Sequence, residues 1–275
     1  MTINTLLRKV NQNKKFNINT YDFFKPTFNV KLAESRGEIK LAQKLRYKVF
    51  FSERIKNPIL NIGNFRRDSD KFDNYADHII VTHRKSKFSK TKVIGTYRLL
   101  KQSVAEKKSG FYSCDEFNLE NLLNSRIYNN MLELSRSCIS QKFRNKNVLQ
   151  LMWKEIHHYI NKNNIDALFG TASFLNTNIS KIEDQLIYLN HNHKMPDNIT
   201  VSALPKYRVN IDYQKKINLN IRLFAKLPTL IKAYLKFNAS IGTGAVIDNK
   251  FKTTDVFIFL PIEKINKEYV NKILD

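Results

Sequence analysis

The chain has 275 residues, 42% hydrophobic and 12% aromatic, with seven glycines and six prolines. That composition is globular and excludes collagen-like, linker-rich and intrinsically disordered classes. The formal net charge of +23 suits a polyanionic partner: nucleic acid, an anionic membrane surface or an acidic carrier protein. A lysine-rich solvated surface is the plainer alternative. The two cysteines, Cys114 and Cys138, form no CxxC pair, so zinc-ribbon and redox motifs are unsupported and a reduced, cytoplasmic setting is expected. Residues 1–29 lack an apolar core, and no run of about 18 apolar residues occurs, so neither a signal peptide nor a spanning helix is expected.

In chain order, residues 1–27 are polar, basic and rich in Asn, and read as an extension of a single domain spanning 28–275. Residues 28–33 alternate and predict a strand. Ile39, Leu41, Leu45, Val49 and Phe50 fall at helical spacing, so 38–51 predicts a helix with one face on a sheet. Residues 52–76, with Pro58 and Gly63, read as loop. Two strands are predicted at 78–82 and 93–100, joined by a basic hairpin connection. A short helix is expected at 117–123, a buried strand at 131–139, and a helix with a wide apolar face at 148–159. A strand at 167–174, helices at 176–189 and 227–237, and a strand at 256–261 complete the series. Consecutive strands early and helix–strand alternation later predict an α/β (α+β) layer fold: one mixed, mainly antiparallel sheet flanked by helices.

Four segments carry charge where the pattern is otherwise apolar. Arg46 lies off the apolar face of its helix, facing either a cleft or solvent. Asp70, Asp73 and Asp77 fall within eight residues just before a strand, as a solvated acidic loop or as a pocket for an ammonium group. Their spacing and the lack of a glycine do not match a calcium loop. Arg98 interrupts an apolar strand, and inside a protein it needs a partner, with Glu133 or the acidic residues as candidates. Glu133 and Arg136 interrupt another, in Met131-Leu132-Glu133-Leu134-Ser135-Arg136-Ser137-Cys138-Ile139. Residues three apart on a regular strand point to opposite sides. The two can therefore share a face only across a β-bulge, a feature common beside active sites. A structural ion pair and a reacting site are equal readings at this point.

Taken in order, these segments resemble the L-ornithine N(alpha)-acyltransferases, GNAT-type enzymes of ornithine-lipid synthesis related to the acyl-homoserine-lactone synthases. The resemblance rests on Arg46-Tyr47-Lys48-Val49-Phe50, Phe72-Asp73-Asn74-Tyr75-Ala76-Asp77-His78, Gly95-Thr96-Tyr97-Arg98-Leu99-Leu100 and Glu133-Leu134-Ser135-Arg136-Ser137-Cys138. It continues through Phe169-Gly170-Thr171-Ala172-Ser173-Phe174 and a C-terminal block from Leu227 to Asp255. It implies a GNAT N-acyltransferase fold. It also implies transfer of a fatty acyl group, 3-hydroxylated, from acyl carrier protein to the α-amino group of L-ornithine, giving lyso-ornithine lipid. The alternative is an acyl-homoserine-lactone synthase or another N-acyl amino acid synthase. The usual pyrophosphate loop has glycines, whereas Gln141-Lys142-Phe143-Arg144-Asn145-Lys146-Asn147 has none. That departure suits a carrier-protein donor over free coenzyme A.

The roles implied are these. Glu133 is the expected general base, with Arg136 and Arg98 organising the site. Arg46, Asp73, Asp77, Ser135 and Cys138 are expected at the acceptor, and Gln141, Arg144 and Asn147 at the acyl donor. Direct transfer makes Cys138 no nucleophile. No bound cofactor or metal is expected beyond the acyl-phosphopantetheine of the carrier. Lys206, Arg208, Lys215, Lys216, Arg222, Lys226, Lys232 and Lys236, opposed by Asp212 alone, predict a face for the acidic carrier or for the inner surface of the membrane. No nucleic-acid motif is present. No histidine begins a His-x4-Asp pair, so no O-acylation step is expected.

Overall fold

The computed structural model describes residues 26–53, 66–144, 146–217 and 221–266, together with 268 and 271. The predicted extension lies almost wholly outside the described residues, as do Pro58 and Gly63. The described elements run β1 (Thr27–Leu32), α1 (Arg36–Tyr47), β2 (Asp77–Arg84), β3 (Lys92–Lys101), α2 (Gln102–Ala105), β4 (Phe117–Asn118), α3 (Glu120–Asn124) and β5 (Met131–Ile139). They continue with α4 (Lys146–Asn163), β6 (Ala167–Phe174), α5 (Glu183–Asn192), β7 (Ser202–Ala203), α6 (Ile221–Lys226), α7 (Thr229–Lys236), β8 (Ser240–Ile241), β9 (Val246–Asp248) and β10 (Thr253–Pro261).

Eight strands form one sheet in the order β1-β2-β3-β5-β6-β10-β8, with β9 also on β10. Every pairing is antiparallel except β5 with β6. β4 and β7 make a separate two-stranded ribbon. The fold is thus the mixed, mainly antiparallel sheet that the sequence predicts.

The residue pattern explains the layers. Ser35 caps α1 by accepting from the N–H of Glu38 at 3.2 Å. The helix then lays Leu45, and Val49 just beyond it, on Cys138 of the sheet. The other face takes α4, whose Val148, Met152 and Ile156 pack with Ile79, Tyr97 and Leu134. Tyr234 of α7 joins that side through a 2.6 Å hydroxyl contact with Tyr97. An aromatic cluster including Phe72, Phe117, Phe169, Phe257 and Phe259 closes the α1 side at one end.

Three expectations are corrected. The predicted helix over 38–51 ends at Tyr47 and passes into a wider π turn at Lys48–Ser52. The helix expected over 117–123 divides into β4 and α3, because Phe117 and Asn118 pair with Ala203 and Ser202. The helix expected from 176 begins only at Glu183, after a 3-10 turn at Ile179–Lys181. Strands β7, β8 and β9 have two or three residues each, too few to show a period.

Candidate functional site

The bulge that Glu133 and Arg136 need in order to share a face is present. Thr96 sits opposite Cys138 and Arg98 opposite Ser135, so Tyr97 alone faces both Arg136 and Ser137. Arg136 takes a left-handed conformation, φ 54°. For a residue with a long side chain that is strained by about 1 kcal/mol or more, and it persists where the surroundings over-determine it. The kink turns the Arg136 side chain to the same face as Arg98 and Glu133.

The second strand edge also opens here. β5 and β6 pair only from Met131↔Ala167 to Glu133↔Phe169. At the next position the backbones crowd: a Cβ on Gly170 would come within 2.1 Å of the Leu134 carbonyl oxygen, so only glycine fits. Beyond that point the strands diverge around a cavity of about 790 Å³. It is of ligand size. On the α1 face it is lined by Ser135, Arg136, Ser173, Thr253 and Asp255, and on the other by Leu134, Leu149, Ala172, Phe174, Ile182 and Leu230. The cavity therefore runs through the sheet, polar on one side and apolar on the other.

Beside its polar side lies a buried charge network. Arg46 is 0% exposed; it donates from Nε to Asp68 at 2.9 Å and from two nitrogens to Asp73 at 2.7 Å each. Arg98 donates to Asp70 at 2.5 Å, to Asp73 at 3.2 Å and to Ser135 at 3.0 Å. Arg136 reaches Asp70 at 3.1 Å and approaches Asp68 at 3.2 Å, with its guanidinium against the rings of Tyr112 and Phe251. Three arginines thus meet three aspartates. Burial pushes the Asp73 carboxyl up, but the bonds and charge of Arg46, then the charge of Arg98, hold it well below the usual range. His78 lies 3.7 Å from Asp73 yet is neutral at pH 7. Burial, with Arg46 and Arg98 against Asp73, lowers its pKa to about 4.

His78 makes a pH prediction. Its folded pKa lies below the ordinary imidazole value of 6.5, so its contribution is fully present above about pH 6.5 and is lost as pH falls through 4. The shift corresponds to about 3 kcal/mol at most. Asp73, also depressed, adds a loss as pH falls below its ordinary carboxylate range. Urea unfolding midpoints should therefore drop between pH 6.5 and 4 in the native chain. They should drop distinctly less in His78→Gln.

The remaining predicted residues fall as follows. Glu133 is 0% exposed and does not line the cavity. Its carboxylate accepts from the N–H of Tyr112 at 2.9 Å, the N–H of Ser113 at 2.7 Å and the Ser113 hydroxyl at 2.6 Å. Burial raises its pKa against those bonds. It anchors the loop that presents Tyr112 to the cavity, and the residue expected as general base is thus set back from the cavity wall. Arg46 and Asp73 bond each other and do not line the cavity. Asp77 accepts from Tyr159 of α4 at 2.6 Å, away from the network. Cys138 lines the cavity, and burial pushes its thiol pKa far above the ordinary value, which favours the protonated, less nucleophilic form. Arg144 also lines the cavity, donates to the Ile139 carbonyl at 3.0 Å and pairs with Glu53. Gln141 and Asn147 are exposed and Asn145 lies outside the described residues.

Sequence reasoning missed three carboxylates. Glu116, Asp248 and Asp255 bring oxygen atoms within 4.8 Å of one another, and Asp255 lines the cavity. They lie more than a hundred residues apart, on two separate segments. Only Asp255 carried a signal, a charge at the start of an apolar strand.

A family model described as "Acetyltransferase (GNAT) domain" matches residues 45–154. The L-ornithine N(alpha)-acyltransferase of Brucella abortus is 40% identical over 248 residues, 89% of this chain and 88% of that protein. That of Rhizobium meliloti is 38% identical over 243 residues, covering 88% and 82%. The chain belongs to the L-ornithine N(alpha)-acyltransferase family. It is an acyltransferase with a GNAT domain. Among solved structures it is similar to a CoA-dependent acyl-homoserine lactone synthase, with TM-score 0.48 and 12% identity over 90% of each chain. No helix among the described residues is long and apolar enough to cross a membrane.

Proposed function

We propose that this enzyme transfers a 3-hydroxy fatty acyl group from the phosphopantetheine thioester of acyl carrier protein to the α-amino group of L-ornithine. The product is lyso-ornithine lipid. The observation that carries the reading is the cavity through the sheet at the β5–β6 divergence. Its apolar side, with Leu149, Phe174, Ile182 and Leu230, suits an acyl chain. Its polar side, with Ser135, Arg136 and Asp255, suits an amino acid. The names of the relatives supply ornithine as the acceptor.

The roles follow from placement. The thioester carbonyl lies at the bulge, where backbone N–H groups freed from the ladder near 135–138 can receive the developing oxyanion. Arg136, held by Asp68 and Asp70, brings its positive charge beside the amino acid. Its positive charge and the apolar walls favour the neutral form of a nearby α-amine, the form that attacks. Arg98 holds Asp70 and Ser135 in place beside Arg136. The glycine-free stretch 141–147 favours the carrier protein as donor, and Arg144 at the cavity is a candidate contact for its phosphopantetheine.

The basic segment 206–236 supports a docking role for the acidic carrier or the membrane surface. Lys206, Arg208, Lys216, Arg222, Lys226 and Lys236 are exposed. Leu223, Leu227 and Ile231 turn inward to the core, so the apolar residues there serve packing and the cations serve the surface. Leu219 lies outside the described residues.

The test is an assay of the purified protein with 3-hydroxyacyl carrier protein or the matching coenzyme A thioester and a panel of amino acids. Acylation of ornithine from the carrier, faster than from coenzyme A, is expected. Transfer to no amino acid, or equal use of both donors, would overturn the acceptor and donor assignments respectively.

A further inference from the structure

We propose that Glu116, Asp248 and Asp255 form the subsite for the non-reacting, side-chain ammonium of the amine acceptor, and that they thereby direct acylation to the α-nitrogen. This deepens the proposed function and rests on it. Asp255 is 5% exposed, and its Oδ1 has no hydrogen-bond partner. Glu116 Oε2 is likewise buried without one. Among the described residues, none of the three takes part in an ion pair. Asp248 is held in place because its Oδ1 accepts from the N–H groups of Lys250 and Phe251 at 2.7 and 2.9 Å. The β9–β10 hairpin sets Asp248 opposite Thr253 and Asp255 opposite Val246, so one hairpin holds both carboxylates beside the cavity that Asp255 lines.

Three carboxylates gathered together, Asp255 buried and Glu116 and Asp248 half-buried, call for a cation. Burial pushes the Glu116 pKa up, then the charges of Asp255 and Asp248 do. Burial and Asp248 push up Asp255 as well, against the hydroxyls of Ser173 and Thr253. Arg136 lies close enough to be felt by both, yet its guanidinium is already taken by Asp68 and Asp70 and lies between Tyr112 and Phe251, 4.4 and 4.6 Å from their centroids. A primary ammonium has three donors to meet three acceptors. The neighbouring aromatic rings favour an organic cation over a hydrated metal ion.

Regiochemistry follows from the same charges. A diamino acid offers two amines, and only a neutral one attacks. Carboxylates around the side-chain nitrogen keep it protonated and unreactive, whereas Arg136 beside the α-nitrogen favours loss of its proton. On transfer the α-nitrogen forms the amide bond as the thioester C–S bond breaks. The proton shed by the nitrogen passes to the departing sulfur, which leaves as the carrier's thiol.

The experiment compares L-ornithine with L-norvaline, which lacks the side-chain amine, in the native enzyme, Asp255→Asn and Glu116→Gln. The native enzyme should favour ornithine in kcat/KM. In either variant that preference should shrink by about 10- to 100-fold, the worth of a charge-assisted contact. The loss should come mainly in ornithine KM, and fragmentation mass spectrometry should detect side-chain-acylated product. An unchanged ornithine-to-norvaline ratio in a folded variant would overturn the subsite. So would a native enzyme that acylates both equally, a result that leaves N-acylation itself standing. Failure to acylate any amino acid would instead sink the function on which the subsite rests. Calorimetry with Mg²⁺, Ca²⁺ and Zn²⁺ covers the other occupant: stoichiometric metal binding lost in Asp255→Asn, without a change in acceptor preference, would overturn the ammonium site. The native ratio is readable even if both variants misfold.

Discussion

Replacing Arg46 by methionine is expected to destabilise the fold by about 3–5 kcal/mol, the usual effect of removing one partner from a buried ion pair. The urea midpoint should fall with little change in slope. The reason is local and countable. The Arg46 guanidinium is fully buried and donates to Asp68 Oδ2, to both oxygens of Asp73, and to the Asp68 carbonyl at 2.6 Å. Without it, among the described residues, Asp68 keeps Arg136, and Asp73 keeps Arg98, the Gln43 amide and the Asp70 N–H. Lysine is not a rescue, because a point charge with three donors cannot span two carboxylates as a planar fork does. Arg144→Ala is the contrast: that arginine is 47% exposed in its ion pair with Glu53, and its loss should change stability by about 0–1 kcal/mol. A change below about 1 kcal/mol for Arg46→Met would remove the network as a structural support. Activity should fall in the same variant, since Asp68 also meets Arg136, whose side chain lines the cavity.

Much of the fold was legible because it is written in short periods. The alternation and apolar runs over 131–139 and 167–174 match β5 and β6 residue for residue. Glu133 and Arg136, three apart on one strand, can share a face only across a bulge, and the register slip at Tyr97 supplies it. Partners were harder. From sequence, Asp70, Asp73 and Asp77 form one acidic segment. In the fold, Asp70 and Asp73 neutralise arginines from α1, β3 and β5, while Asp77 turns to Tyr159. The acidic pocket expected for an ammonium lies elsewhere, in Glu116, Asp248 and Asp255, which no local pattern joins. Long-range pairing across the sheet created it, and pairing of that range leaves no period in the chain.

Glu133→Gln separates two meanings of the most charged strand in the molecule. If Glu133 took the proton from the amine, the change would lower kcat by about 10²- to 10⁴-fold, abolish the acidic limb of the pH–kcat profile and leave the acceptor KM nearly alone. The geometry predicts another result. All three hydrogen bonds to the carboxylate come from Tyr112 and Ser113, and two are backbone N–H groups that only an acceptor satisfies. Glutamine keeps one acceptor oxygen and turns an N–H₂ donor towards the other site, so one backbone donor loses its partner, at about 1–3 kcal/mol. The loop then shifts, and with it Tyr112, whose ring covers the Arg136 guanidinium at 4.4 Å, and Glu116 four residues on. A rise in the acceptor KM exceeding the fall in kcat, with the acidic limb kept, is therefore expected. Ser113→Ala, which removes only the hydroxyl donor at 2.6 Å, should give the same pattern more weakly. A collapsed kcat with an unmoved KM and a lost limb would return Glu133 to the role of base. It would then require the carboxylate to leave its three donors during turnover.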